Sequence, residues 1–261
     1  MRRINLKNIG FINEKNLVKA LNGKKVNEVN LLLQLMLYDC FKDIKEKDYI
    51  KAYLGNGMEK TDVIIKIKNE SLNISVKYGI KNSVHCEGIY TFLKFLKEEL
   101  KIPTKIVNYY LDYHYGDGTL NGTGLNRISL NEYKTDPKNV YKISKVNEYF
   151  NNPINNLKIV KRFILKGTDL KNKEVDVLFH GTPQDFFYVK KDDVINYLEK
   201  KYDLASSSIH FGRLSVQPAN RCLNRNPLYE RKRKQVEIKW YNMLDSIFEI
   251  MNDNAIKNMK K

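Results

Sequence analysis

Two short segments in which apolar and polar residues alternate, DVIIKI (62–67) and LNISVK (72–77), are separated only by Lys68-Asn69-Glu70-Ser71. Alternation with period two reads as half-buried strands, and the polar break reads as a hairpin turn. Pairing Ile67 with Leu72 puts Ile65 opposite Ile74 and Val63 opposite Val76, so the apolar pairs share one side of the sheet. The other side then carries Asp62 opposite Lys77, with Ser75 two residues along. A slip of one residue would turn the apolar pairs into water, which fixes the faces. A carboxylate and a lysine meeting at the end of a hairpin are a candidate centre for phosphodiester chemistry.

The flanking segments are read the same way. Residues 1–23 are polar and end at the turn signal Asn22-Gly23. From Lys24 to Ile44, Val26, Val29, Leu33, Met36, Cys40 and Ile44 recur at helical spacing and predict a helix with Glu28 in its first turn. An acid there complements the helix dipole, or serves the hairpin site if the helix crosses it. A second helix is expected over about Val84–Leu100, capped by Asn82 or Ser83, with His85 and Glu87 in its first turn. The tyrosines and glycines of Asn108–Gly124 suggest a hairpin turning at Asp117-Gly118, the alternative being a loop that touches nucleic acid. Strands are expected near 157–165, 174–179 and 236–240, and helices near 191–201 and 240–251. With no linker or repeat in view, the reading is one elaborated domain over 1–261, with a core at 24–105.

A net charge of +16 points to a polyanionic partner. The abundance of Lys, Asn and Ile also reflects an A/T-rich coding bias, so arginine is the better witness. Five of the nine arginines fall between Arg213 and Arg233. Arg213, Gln217, Asn220, Arg221, Asn224 and Arg225 bring together the side chains that read guanine and adenine edges. The three cysteines form no C-x-x-C pair, and no apolar run suggests a secretory signal or a membrane span. The expectation is a protein of a reducing cytoplasm, with no membrane partner.

Mg²⁺ takes oxygen ligands, one or two of them carboxylates, and Asp62 offers one. The Val76 carbonyl is a further candidate ligand, and Lys77 can act on the attacking water or counter developing charge. Asp62, a hairpin and then Ser75-Val76-Lys77 resembles the PD-(D/E)xK nuclease superfamily. It also resembles the subset of type II restriction endonucleases that write S-x-K and take the missing carboxylate from a helix just downstream. Thr61 stands where that family usually has proline. The resemblance implies an α/β restriction-endonuclease-like core, a mixed β-sheet flanked by helices, with a DNA-recognition extension. It also implies Mg²⁺ held by Asp62 and Glu87, Lys77 acting on water, Glu28 orienting metal-bound water, and a homodimer cutting double-stranded DNA. Two alternatives stand beside it. One is a structure-selective or repair nuclease of the same fold. The other is a non-catalytic DNA-binding module in which Asp62 and Lys77 form a cross-strand ion pair.

Overall fold

The computed structural model describes residues 7–56, 59–79, 83–169, 171–199, 208–218 and 227–259. The chain begins with α1 (Lys7–Leu21), a 3-10 turn (Val26–Glu28) and α2 (Leu31–Cys40), then β1 (Ile50–Leu54), β2 (Val63–Ile67) and β3 (Glu70–Lys77). Next come β4 (Ser83–Gly88), α3 (Ile89–Lys94), α4 (Thr104–Tyr115), α5 (Leu130–Tyr133), α6 (Pro137–Phe150) and α7 (Pro153–Val160). The order closes with β5 (Val177–Thr182), β6 (Asp185–Lys190), α8 (Lys191–Glu199), β7 (His210–Phe211), β8 (Leu214–Pro218), β9 (Gln235–Trp240) and α9 (Met243–Met259).

These elements form two compact units where the sequence suggests one. The first comprises Met1–Lys81, Ile164–Tyr197 and Asn242–Lys261; the second comprises Asn82–Phe163 and Leu198–Tyr241. The chain therefore leaves the first unit directly after the hairpin, with no Pro- or Gly-rich linker to mark the exit.

The first unit is built on a sheet of order β1-β2-β3-β5-β6. Neighbours are antiparallel except β3 and β5, which run parallel, so the sheet is mixed. Val63, Ile65, Ile67, Leu72, Ile74 and Val76 pack with Val177 and Phe179 against Leu17, Leu21, Leu33, Met36 and Leu37 of α1 and α2. On the opposite face Phe187 of β6 meets Phe248 of α9, ring centroids 4.6 Å apart. Helices thus flank both faces.

The hairpin's register differs from the sequence reading by two residues: Val63 pairs with Ile74, Ile65 with Leu72 and Ile67 with Glu70. The turn is only Lys68-Asn69, with Lys68 in the left-handed region at φ 52°. Two-residue turns match strand twist better than the longer loop expected. Because the shift is even, every side chain keeps its face. Carried one step on, the ladder sets Asp62 opposite Ser75 rather than Lys77.

The expected helix over Lys24–Ile44 is really two elements. Val29 is extended (φ −92°, ψ 165°), and the Asn30 side chain caps α2 by accepting from the Leu33 N–H at 3.0 Å. Val26, Val29, Leu33 and Met36 are all buried, so their spacing recorded burial correctly and helix incorrectly. Residues 7–21, read as merely polar, form α1, which buries Leu17 and Leu21.

One glycine fixes the entry to β2. The Gly55 N–H donates to the Asp62 carbonyl at 2.9 Å, and a Cβ at Gly55 would collide with the Thr61 carbonyl oxygen. Gly55→Ala should therefore cost on the order of 1–3 kcal/mol, read as a lowered denaturation midpoint. An unchanged midpoint would show that the Thr61–Asp62 backbone moves freely.

The second unit has an antiparallel sheet of order β4-β9-β8-β7 around an aromatic core. Phe150 stacks on Phe211 at 4.4 Å, and Phe92, Tyr110 and Phe163 lie alongside. Residues 83–88 are a strand paired with β9, and helix begins only at Ile89. Asn108–Gly124 is no hairpin: α4 runs to Tyr115, Gly116 ends it in the left-handed region, and Tyr110, Tyr113 and Tyr115 are buried. Residues 157–165 are helical rather than extended.

Candidate carboxylate–lysine site

Asp62 precedes β2, and Ser75 to Lys77 end β3. Strand pairing alone brings them together. Asp62 Oδ2 accepts from the Val76 N–H at 2.7 Å and from Ser75 Oγ at 3.1 Å. Lys77 Nζ donates to Ser75 Oγ at 2.7 Å and to the Val76 carbonyl at 3.3 Å, and lies 3.6 Å from Asp62 Oδ2. Asp62 and Lys77 each keep about a quarter of their side-chain surface exposed, whereas Ser75 is buried. All the protein contacts fall on one carboxylate oxygen. Asp62 Oδ1 has no hydrogen-bond partner among the described residues.

Two further residues join the cluster that sequence reasoning missed. Asn13 donates through Nδ2 to the Gly181 carbonyl, pinning α1 to the end of β5 and placing Glu14 near the hairpin. Partial burial pushes the Glu14 carboxyl above its ordinary value, the Asp62 carboxylate pushes it the same way, and Lys77 opposes both. Glu14 thus lies on the N-terminal helix within electrostatic reach of Asp62 and Lys77, where the sequence reading expects Glu28. The signal was present as Asn13, Leu17 and Leu21 on one face, but two leucines in a polar segment make a faint stripe. His180 stands beside Lys77 in the parallel ladder, and its Nε2 is 3.0 Å from the Gly79 carbonyl. A carbonyl only accepts, so Nε2 carries the proton.

Glu28 is placed differently. It ends the 3-10 turn, and its carboxylate accepts from the Lys25 N–H at 2.8 Å, a cap on its own turn. Glu87 lies in the second unit on β4, not on a helix. It is buried, and Arg162 Nη2 holds its Oε2 at 2.8 Å, with His85 Nε2 at 3.3 Å from the same oxygen. The Arg162 guanidinium also lies 4.5 Å over the Phe95 ring and 3.6 Å from Glu99. The expected downstream acid is therefore part of a buried ion pair.

Of the expected base-reading group, Arg213 sits in the β7–β8 turn, half-buried, and Gln217 lies on β8 opposite Glu237. Asn220, Arg221, Asn224 and Arg225 fall outside the described residues. Arg233, from the same arginine-rich stretch, has a structural task. It bonds Asp117 at 3.1 Å, the Gly124 carbonyl at 2.7 Å and Glu230 at 2.8 Å, tying the glycine-rich loop to the region before β9.

Among the described residues, no group of three or more His, Cys, Asp or Glu side chains is arranged to hold a metal ion. Asp62 and Glu14 make two carboxylates, which with water suffices for Mg²⁺. Asp62, about a quarter exposed and with one oxygen unbonded among the described residues, fits a hard cation of that kind. No helix among the described residues is long and apolar enough to cross a membrane. The sequence matches no protein-family model, and no curated protein is significantly similar to it.

Proposed function

We propose that the chain is a Mg²⁺-dependent endonuclease acting on double-stranded DNA, of the sequence-specific type II restriction kind. One observation carries this reading: Asp62, Ser75 and Lys77 form a bonded triad on one sheet face while Asp62 Oδ1 stays uncommitted. The mixed sheet flanked by helices and the charge of +16 support it.

Asp62 and Glu14 would hold the cation, with the Val76 carbonyl as a further ligand. When bound, Mg²⁺ lowers the pKa of a coordinated water and offsets charge developing on the phosphate. The chain's own residues do the positioning. The Val76 N–H and Ser75 Oγ fix the rotation of the Asp62 carboxylate, so its second oxygen points one way. Ser75, standing where a glutamate is usual in the family resembled, adds no negative charge and instead holds Lys77 Nζ at 2.7 Å. Lys77 Nζ would donate to a non-bridging phosphate oxygen as charge builds there. Glu14 supplies the negative charge that Ser75 does not.

The direct test is plasmid DNA incubated with the protein in Mg²⁺ or in EDTA. Discrete fragments in Mg²⁺ alone are expected. Intact plasmid in both conditions, at protein concentrations that bind it fully, would leave only a DNA-binding module.

Glu14 gives a second test with a definite sign. Its carboxyl is raised above the unfolded value, so it contributes stability at acid pH that is lost as pH rises from about 4.5 through the folded value. Glu14→Gln should therefore raise the melting temperature at pH 7.5 in EDTA while lowering Mg²⁺-dependent cleavage about 10- to 100-fold. A variant less stable in EDTA, with cleavage intact, would place Glu14 outside the metal site.

A further inference from the structure

We infer that a cleft on the first unit, across α1 from the carboxylates, binds a second backbone phosphate of the DNA; the inference rests on the nuclease reading above. The cleft has a volume of about 500 Å³. Its polar wall is Asn16 and Lys19 of α1, Lys24, Asn30 and Gln184, over a small apolar floor of Ala20 and Leu33. No carboxylate lines it. Neither Lys19 nor Lys24 is paired with an acid among the described residues, although Lys25, the next residue, lies 4.0 Å from Glu28 and over the Tyr49 ring. Two unneutralised ammonium groups beside amide donors, with no opposing charge, make a site for an oxyanion.

The wall is held in shape. Asn30 donates through Nδ2 to the Pro183 carbonyl at 2.7 Å while its Oδ1 caps α2, so the turn bearing Gln184 is fastened to the start of that helix. The cleft is also distinct from the carboxylate site. Asn16 and Lys19 lie two and five residues beyond Glu14, which puts both roughly on the far side of the helix at about 100° per residue. Lys19 is displaced about 7.5 Å along the axis. A phosphate in the cleft is therefore not the scissile one. DNA reaching both sites crosses over α1, and the cleft fixes where the backbone flanking the cut must lie.

The test measures duplex binding without Mg²⁺, by fluorescence anisotropy, as a function of salt. Each phosphate contact contributes about 0.9 to the slope of log K against log salt. The Lys19→Gln/Lys24→Gln variant, which removes the one phosphate contact, should lose about 0.9 of that slope. A control with equal charge loss, Lys94→Gln/Lys145→Gln, removes lysines paired with Glu98 and Glu148 and should keep the wild-type slope. A cleft variant with the wild-type slope, or a control that falls as far, overturns the inference. If inorganic phosphate binds the wild type and the cleft variant loses that binding without a change in the DNA slope, the ligand is free phosphate and the inference is again overturned. Cleavage by the wild type with an unchanged slope in the cleft variant sinks this inference alone, whereas a wild type that binds no duplex sinks the nuclease reading with it.

Discussion

Asp62→Asn should reduce plasmid cleavage on the order of 10³-fold and leave the fold intact. Asparagine is the informative replacement because the Asp62 carboxylate has two tasks. Its Oδ2 accepts from the Val76 N–H and Ser75 Oγ, and an amide oxygen can take over that acceptance. What asparagine cannot supply is a second anionic oxygen for a cation. Alanine would confuse the two, since it also strands the Val76 N–H at a cost of about 1–3 kcal/mol. Lys77→Met should fall by a similar factor with the Mg²⁺ requirement unchanged, since the proposal has Lys77 act on the phosphate and not on the metal. The measurements are initial cleavage rates across a Mg²⁺ series, beside thermal melts. If Asp62→Asn cuts at the wild-type rate, the pair is an ordinary cross-strand contact, and at about a quarter exposure such a contact contributes little.

The largest stability effect is expected at Glu87, which forms a buried ion pair with Arg162 in the second unit. Glu87→Gln leaves the Arg162 guanidinium buried against Phe95 and Phe163 with its principal counter-charge gone. Breaking a buried pair from one side costs about 3–5 kcal/mol. Glu99, 3.6 Å from the other guanidinium nitrogen and more exposed, recovers only part of this. The melting transition should fall on the order of 10 °C. Glu87→Leu with Arg162→Met should regain most of the loss, since a hydrophobic pair of similar size leaves no stranded charge. A metal ligand would behave otherwise: Glu87→Gln would leave EDTA melts unchanged and raise the Mg²⁺ concentration needed for cutting. That result would return Glu87 to the metal site.

The hairpin was legible because period-two alternation survives an even error of register. Asp62, Ser75 and Lys77 share a face whether the turn has two residues or four. Glu14 was not legible for the converse reason. A helix burying chiefly Leu17 and Leu21 leaves little periodic trace, whereas Val26 and Val29 mimic a helical stripe while sitting in extended or 3-10 backbone. Glu87 was misplaced because strand β4 is stabilised by β9, whose residues lie far along the chain, and no local window records that pairing. The two-unit division escaped notice for a related reason: the first unit's sheet is completed by strands that follow most of the second unit in sequence.

That last arrangement has a consequence for how the molecule is made. During synthesis β1, β2 and β3 emerge early, but the strand that seals the β3 edge, Val177–Thr182, is translated only after residues 83–163. Until then Ile74 to Lys77 present an open row of backbone donors and acceptors, the kind of edge that recruits another chain. The Asn13 bond to the Gly181 carbonyl waits for β5 as well, although Leu17 and Leu21 can already pack α1 against the hairpin. The nascent chain therefore carries the Asp62–Ser75–Lys77 cluster beside an unsealed sheet edge through much of translation, until β5 docks.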